Sequence, residues 1–131
     1  MEILLKRLAI YKQCLHGRLY IDGDHVCDTL ERVVDCLAPG RYRISRMKMK
    51  SMKKGRERRF CPSFFAENGP YALPCGGVAI GEWKYLGFLI HCAESYQPLM
   101  DRIRMATNRG NSVMIRITNA VELRIGYSSF A

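Results

Sequence analysis

The chain has 131 residues, of which 48% are hydrophobic, and a formal net charge of +9. This length allows one hydrophobic core of ordinary size but not two, so we predict a single domain over residues 1–131. No apolar run approaches the roughly 18 residues of a membrane span, and Lys6 and Arg7 interrupt the first apolar run, which a secretion signal would keep intact. We therefore expect a cytoplasmic protein with no signal peptide and no transmembrane segment.

Most of the chain has the residue pattern of β-strands. Runs rich in Ile, Leu and Tyr, or apolar residues in alternation, predict strands at residues 2–10, 14–21, 26–30, 41–44, 112–118 and 121–125. Asp22-Gly23 and Pro39-Gly40 have the composition of tight turns, so the strands that flank Asp22-Gly23 should pair as an antiparallel hairpin.

A further hairpin and one helix complete the predicted elements. Residues 78–80 and 86–90 flank the segment 81–85, which favours a hairpin, and one register to consider is symmetric about Trp83. Ser95 is a suitable N-cap for a helix, and Gly110 follows as a stop signal. We predict a mainly β protein, with an all-β barrel-like or sandwich core and one short α-helix near residues 95–108.

One segment carries most of the positive charge. Residues 46–59 contain one Glu and eight basic residues, which are Arg46, Lys48, Lys50, Lys53, Lys54, Arg56, Arg58 and Arg59. Such a density of like charge gains little from burial, so we expect an exposed basic loop insertion. Closely spaced Lys and Arg residues bind polyanions through counterion release. A solvated hairpin tip that only aids solubility is the alternative interpretation.

The six cysteines are Cys14, Cys27, Cys36, Cys61, Cys75 and Cys92. An even number suits a disulfide framework in a small secreted protein. Without a secretion signal, we favour reduced cysteines that pack as small apolar side chains. No cysteine pair has the C-x-x-C spacing of a zinc site, so we expect no metal and no cofactor.

One cysteine and one histidine are candidates for catalysis. In a hairpin symmetric about Trp83, Cys75 falls opposite His91, which would pair a thiol with an imidazole. The backbone amides of Gly76 and Gly77, which follow the cysteine, could form an oxyanion hole. A histidine at a strand end is also commonly a hydrogen-bonded structural residue, which is the alternative interpretation.

Four short motifs occur in an order that resembles an uncharacterised domain family of bacteria and their phages. They are Gly17-Arg18-Leu19-Tyr20-Ile21-Asp22-Gly23, Thr29-Leu30-Glu31, Pro39-Gly40-Arg41-Tyr42-Arg43-Ile44 and Ile90-His91. The resemblance would span residues 5–117, and that family is similar to the L,D-transpeptidase catalytic domain, whose nucleophile is a cysteine. Where the family continues with Gly-Asn and a Gly-Cys-Ile element, this chain has Cys92-Ala93 and no Gly-Cys-Ile. Transpeptidase activity is therefore not expected.

The residues support two classes of function. The first is a non-catalytic module that binds an anionic partner, nucleic acid or an anionic cell-wall polymer, through the basic loop, which Arg102, Arg104 and Arg109 at the predicted helix could join. The second is a cysteine-dependent acyl transferase or hydrolase that acts on peptidoglycan peptides through Cys75 and His91. We favour binding, because the basic residues are present while the family's nucleophile is not. A structural or assembly protein of phage origin is a third alternative, and the sequence makes no prediction of oligomeric state.

Overall fold

The structure, a computed structural model, describes residues 1–45, 59–67 and 73–120. Its first three strands are β1 (Glu2–Tyr11), β2 (Cys14–Ile21) and β3 (Asp24–Arg32). They are joined by two-residue turns at Lys12-Gln13 and Asp22-Gly23, where all four φ angles lie between 48° and 91°. Positive φ at both turn positions matches the twist of a tight antiparallel hairpin. The predicted turn at Asp22-Gly23 is confirmed.

The remaining elements include six more strands and one helix among the described residues. They are β4 (Gly40–Ile44), β5 (Arg59–Phe60), β6 (Phe65–Ala66), β7 (Val78–Tyr85), β8 (Phe88–Ile90), α1 (Cys92–Asn108) and β9 (Met114–Asn119). The predicted mainly β fold with a single helix is confirmed. The predicted strand at 121–125 lies outside the described residues, as does the basic insertion up to Arg58.

The described strands form one mixed sheet in the order β5-β4-β9-β1-β2-β3-β7-β6, and β8 pairs with the distal half of β7. Strand β9 lies between β4 and β1, antiparallel to β4 and parallel to β1. The terminal strands β5 and β6 pair with β4 and β7 and not with each other, so the sheet is not closed into a barrel. The sheet is nevertheless curled, because Phe60 of β5 and Phe65 of β6 have ring centroids only 4.6 Å apart.

The core lies on the inner face of this curled sheet. Along β1, Ile3 and Leu5 are fully buried while the intervening side chains face outward, as the two-residue period of a strand requires. Leu99 and Ile103 of α1 complete the main apolar cluster from the helix side. The inner face is therefore occupied by core packing. A second, smaller cluster of Cys14, Leu30, Leu73 and Ala79 packs at one end of β2, β3 and β7, and the exposed side chains lie on the rest of the outer face.

The hairpin of β7 and β8 differs from the predicted one. Glu82 pairs with Ile90, and the turn lies at Leu86-Gly87, where Gly87 has a φ of +88°. Gly81 continues the strand instead of beginning the turn. A Cβ on Gly81 would lie 2.8 Å from the Ile90 carbonyl oxygen, so glycine here permits a close approach of two chain segments. The prediction of a hairpin symmetric about Trp83 is therefore wrong.

Helix α1 begins three residues before the predicted start. Its N-cap is His91, which has a φ of 53° and makes no capping hydrogen bond through its side chain. This left-handed residue turns the chain directly from β8 into the helix. Ser95 is consequently inside the helix and not its cap, and Pro98 lies beyond the first turn. The predicted end at Asn108 is confirmed.

Candidate functional site

The predicted basic insertion meets the described structure at its two ends. Arg59 lies on β5, and its Nη1 donates a hydrogen bond to Oγ of Ser45 at 3.0 Å. The Ser45 N–H donates to the Phe60 carbonyl at 3.1 Å. The chain therefore leaves and re-enters the sheet at the same place, beside β4. The other predicted anion-binding residues, Arg46, Lys48, Lys50, Lys53, Lys54, Arg56 and Arg58, lie outside the described residues.

A second group of basic side chains lies on the outer face of the sheet next to that edge. Residues that are partners in a strand pairing point to the same face. The pairings place six basic residues on this face, which we call the outer basic face, namely Lys6, Arg18, Arg41, Arg43, Arg59 and Arg116. All of them except the half-buried Arg59 are exposed. They alternate with core residues along their strands.

Like charges stand directly opposite each other on the outer basic face. Arg41 of β4 is the partner of Arg116 of β9, and Lys6 of β1 is the partner of Arg18 of β2. On its other side, Arg18 is the partner of Asp28 of β3. At the sheet edge, Arg43 is likewise the partner of Arg59. Opposed like charges destabilise a pair of strands by roughly 0.2–1 kcal/mol each. A surface that concentrates them is suited to an anionic ligand, which would relieve the repulsion.

The acidic side chains on the same face are engaged by neighbouring groups. Glu2 forms an exposed ion pair with Arg41 at 3.2 Å, and Asp22 accepts the Glu2 backbone N–H at 3.1 Å. Asp28 accepts hydrogen bonds from the Trp83 backbone N–H and from the His25 ring, both at 2.9 Å. The acids therefore neutralise only part of the positive charge, and they are concentrated at the Asp22 turn and towards β3.

A groove of about 660 Å³ runs across this face. Leu4 and Tyr20, which are partners in the β1–β2 pairing, lie in its middle and are half-buried. The residues that line it are Glu2, Leu4, Lys6, Tyr20, Asp22, Gly23, Arg41 and Arg116. The groove thus combines an apolar floor, one aromatic ring and three basic side chains.

The structure does not form the register that would place Cys75 opposite His91. The partner of Ile90 is Glu82, so Cys75 precedes the paired part of β7. Nδ1 of His91 is 3.1 Å from Oε2 of Glu82, and both side chains are more than half exposed. Sγ of Cys75 lies 4.0 Å from the Asp35 carbonyl oxygen. The imidazole is paired with a carboxylate on the neighbouring strand instead of a thiol.

The backbone amides considered for an oxyanion hole are already used. The Gly76 N–H donates to the Asp35 carbonyl at 3.0 Å, and the Gly77 N–H donates to the Pro74 carbonyl at 2.8 Å. An oxyanion hole needs donors aimed at the position of the reacting oxygen. These two donors instead hold the loop before β7 in place.

The environments of four cysteines keep their thiols protonated. All six cysteines are free thiols. Burial raises the pKa of Cys14 and Cys36, and burial with a smaller contribution from Asp28 raises the pKa of Cys27 to about 12. Burial followed by the charges of Glu94 and Glu67 raises the pKa of Cys92. A nucleophilic cysteine needs a lowered pKa, because the thiolate is the reactive form.

Of the outer basic face, the sequence predicts only Arg59 as an anion-binding residue; it assigns Arg41 and Arg43 only to a strand, and it does not connect Lys6, Arg18 and Arg116 with the face at all. Each of these last three is a single basic residue between buried neighbours on its own strand, as Arg116 is between Ile115 and Ile117. That alternation is the available sequence signal, because it places a basic residue on the outer face of a strand. Only the strand order brings the three residues together.

Among the described residues, no group of three or more His, Cys, Asp or Glu side chains is arranged to hold a metal ion. No helix in the described ranges combines the length and the hydropathy needed to cross a membrane. No protein-family model, curated protein or solved structure matches this chain. The resemblance to the L,D-transpeptidase-like family stays a prediction.

Proposed function

We propose that this protein binds an anionic polymer, nucleic acid or an anionic cell-wall polymer, through the outer basic face together with the basic segment at residues 46–59. The observation that carries the proposal is the direct opposition of Arg41 to Arg116 and of Lys6 to Arg18 across neighbouring strands. This arrangement costs stability in the free protein, and a polyanion that bridges the opposed cations would recover it.

The position of the basic segment supports the same function. Its two ends are held at β4 and β5, where Arg43 and Arg59 belong to the outer basic face. The basic segment is therefore joined to the described fold beside Arg43 and Arg59 on the strands. A linear polyanion bound along the outer basic face could therefore extend past this edge to the basic segment. Its phosphate or sulfate groups would then contact both sets of basic residues.

The test replaces opposed cations and compares the result with equal charge loss elsewhere. We expect Arg41→Gln combined with Arg116→Gln to weaken binding to single-stranded DNA and to polyphosphate roughly ten-fold, with a shallower dependence on salt. The matched control is Arg102→Gln, on the exposed side of α1, combined with Arg109→Gln at the C-cap of that helix. Affinity is measured by fluorescence anisotropy over a range of salt concentrations.

Thermal unfolding of the same variants provides an independent readout. Because the substitutions remove both the repulsion between the opposed cations and the exposed Glu2–Arg41 ion pair, Arg41→Gln combined with Arg116→Gln should change the free energy of unfolding by no more than a few tenths of a kcal/mol. Equal losses of affinity in the double variant and in the helix control would contradict the proposed surface. Failure of the wild-type protein to bind either polymer at low salt would contradict the function itself.

A further inference from the structure

The groove on the outer basic face has features that a purely electrostatic surface does not need. Leu4 forms an apolar floor and the Tyr20 ring stands beside it, although both residues lie among cations. The Tyr20 ring centroid is 5.6 Å from that of His25, with the rings tilted at 52°, so the side chain is supported from the β3 side. A flat apolar group of a ligand could pack against Leu4 and Tyr20 here, with the charged side chains of the groove on either side of it.

The polar groups of the groove are sorted along the strands. At one end lie Glu2 and Asp22, which repel a phosphate and can accept hydrogen bonds from amino donors. At the other end lies Lys6, opposed by Arg18 on the next strand. In the row between these two ends, Arg116 of β9 is the partner of Leu4 of β1 on one side and of Arg41 of β4 on the other. The first row of the groove is thus acidic, the second sets Leu4 and Tyr20 beside Arg116 and Arg41, and the third holds Lys6.

This sequence of chemistries matches one nucleotide of a single strand. A nucleobase offers a flat face for Tyr20 and Leu4 and an N–H donor at its edge, such as the N3–H of thymine, and the attached phosphates carry the negative charge that Lys6 and Arg116 would bind. A duplex keeps its bases stacked and paired, so it cannot place one against Tyr20. A cell-wall polymer without aromatic groups would leave the ring and the apolar floor uncovered.

Resting on the proposed function, we propose that the groove is a base-stacking subsite for single-stranded nucleic acid, in which a base lies against Tyr20 and Leu4 and the adjoining phosphates are bound by Lys6, Arg41 and Arg116. The aromatic ring selects the type of polyanion, and the outer basic face supplies most of the affinity.

The experiment compares two probes of equal length and charge. A fluorescein-labelled oligothymidylate and an abasic oligonucleotide of the same length are titrated with the wild-type protein at one salt concentration. We expect the oligothymidylate to bind about ten-fold more tightly, which is the effect of a single base–aromatic stack. This comparison requires no variant, so it does not depend on how a substitution affects folding.

Two variants assign the effect to the ring. Tyr20→Leu should lower the affinity for oligothymidylate to that for the abasic probe while leaving the abasic affinity unchanged, and Tyr20→Phe should retain the preference. Equal affinities of the wild-type protein for both probes would overturn the stacking subsite and leave polyanion binding intact. Tighter binding to wall teichoic acid than to oligothymidylate would overturn the assignment to nucleic acid, and binding to no polyanion would overturn both proposals.

Discussion

Arg7 and Glu31 form a fully buried ion pair at the inner side of the sheet. Nε and Nη2 of Arg7 donate to the two carboxylate oxygens of Glu31 at 3.0 and 2.8 Å, and Nη2 also donates to the Leu37 carbonyl at 2.7 Å. Both side chains are 0% exposed. Desolvation of two charges is costly, so such a pair is stable only when each charge keeps its partner.

We therefore predict strong coupling between Arg7 and Glu31. Arg7→Met and Glu31→Leu should each lower the free energy of unfolding by about 3–5 kcal/mol, because each leaves one buried charge uncompensated. The double variant should lose far less than the sum, since it buries no charge at all. Denaturant unfolding of the four proteins measures the coupling, and strictly additive losses would contradict it.

His16 is a buried histidine whose ring is held in the neutral form. It is 0% exposed, and its Nε2 accepts the Gly87 backbone N–H at 3.0 Å, which ties β2 to the turn of the β7–β8 hairpin. Nδ1 therefore carries the proton, and among the described residues it has no hydrogen-bond partner. Burial lowers the pKa of His16, in agreement with an Nε2 that is occupied as an acceptor.

This environment predicts a loss of stability in mild acid. The unfolded chain takes up a proton near the ordinary histidine pKa of about 6.5, whereas the folded protein resists it. The contribution of His16 is thus complete above about 6.5 and decreases as the pH falls towards the lowered folded pKa. His16→Gln keeps an acceptor but does not titrate. Its free energy of unfolding should decline less than that of the wild type over this range, and parallel curves would exclude His16 as the cause.

At the scale of elements, the two glycines of the β7–β8 hairpin have different roles. Gly81 permits contact, since an added Cβ would lie 2.8 Å from the Ile90 carbonyl oxygen and 3.0 Å from Sγ of Cys92. Gly87 supplies a positive φ of 88° and has only ordinary contact distances of 3.5 Å, to Tyr11. At Gly81 a larger residue is disfavoured by lack of space, whereas at Gly87 it is disfavoured by the positive φ.

Substitutions should separate these two roles. Gly81→Ala should destabilise the protein by about 1–3 kcal/mol, because the obstructing atoms include a backbone oxygen that cannot rotate away. Gly87→Asn, the control in the same hairpin, should cost less, because asparagine tolerates positive φ. Thermal unfolding measures both variants, and a larger loss for Gly87→Asn would show that backbone strain dominates the hairpin.

The predicted elements were reliable where local pattern determined them and unreliable where distant contacts did. Its content of Leu, Ile and Tyr and the turn signal that follows it gave β2 its observed ends, Cys14 and Ile21. The same kind of reasoning placed a turn around Gly81, since nothing local distinguishes a glycine needed for close packing from one needed for a turn. Ser95 was chosen as the helix cap on residue type, whereas the chain enters α1 through a left-handed His91.

At the scale of the whole molecule, the mainly β class with one helix was predictable, but the order of its strands was not. Lys6, Arg18 and Arg116 are far apart in the sequence, and each looks like an ordinary solvent-facing residue. Lys6 and Arg18 meet in the β1–β2 hairpin, and Arg116 joins them only because β9 lies between β4 and β1. Arg7 looked like a residue that merely interrupts an apolar run, yet Glu31 on a different strand makes its burial possible.

The placement of β9 has a consequence for biosynthesis. The first three strands can pair as soon as they emerge from the ribosome, because short turns connect them. Strands β1 and β4, in contrast, acquire their common neighbour only after Met114–Asn119 has been translated. Such a high contact order slows folding. During that interval the nascent chain exposes unpaired strand edges, so chaperone demand should be greatest just before translation of this strand.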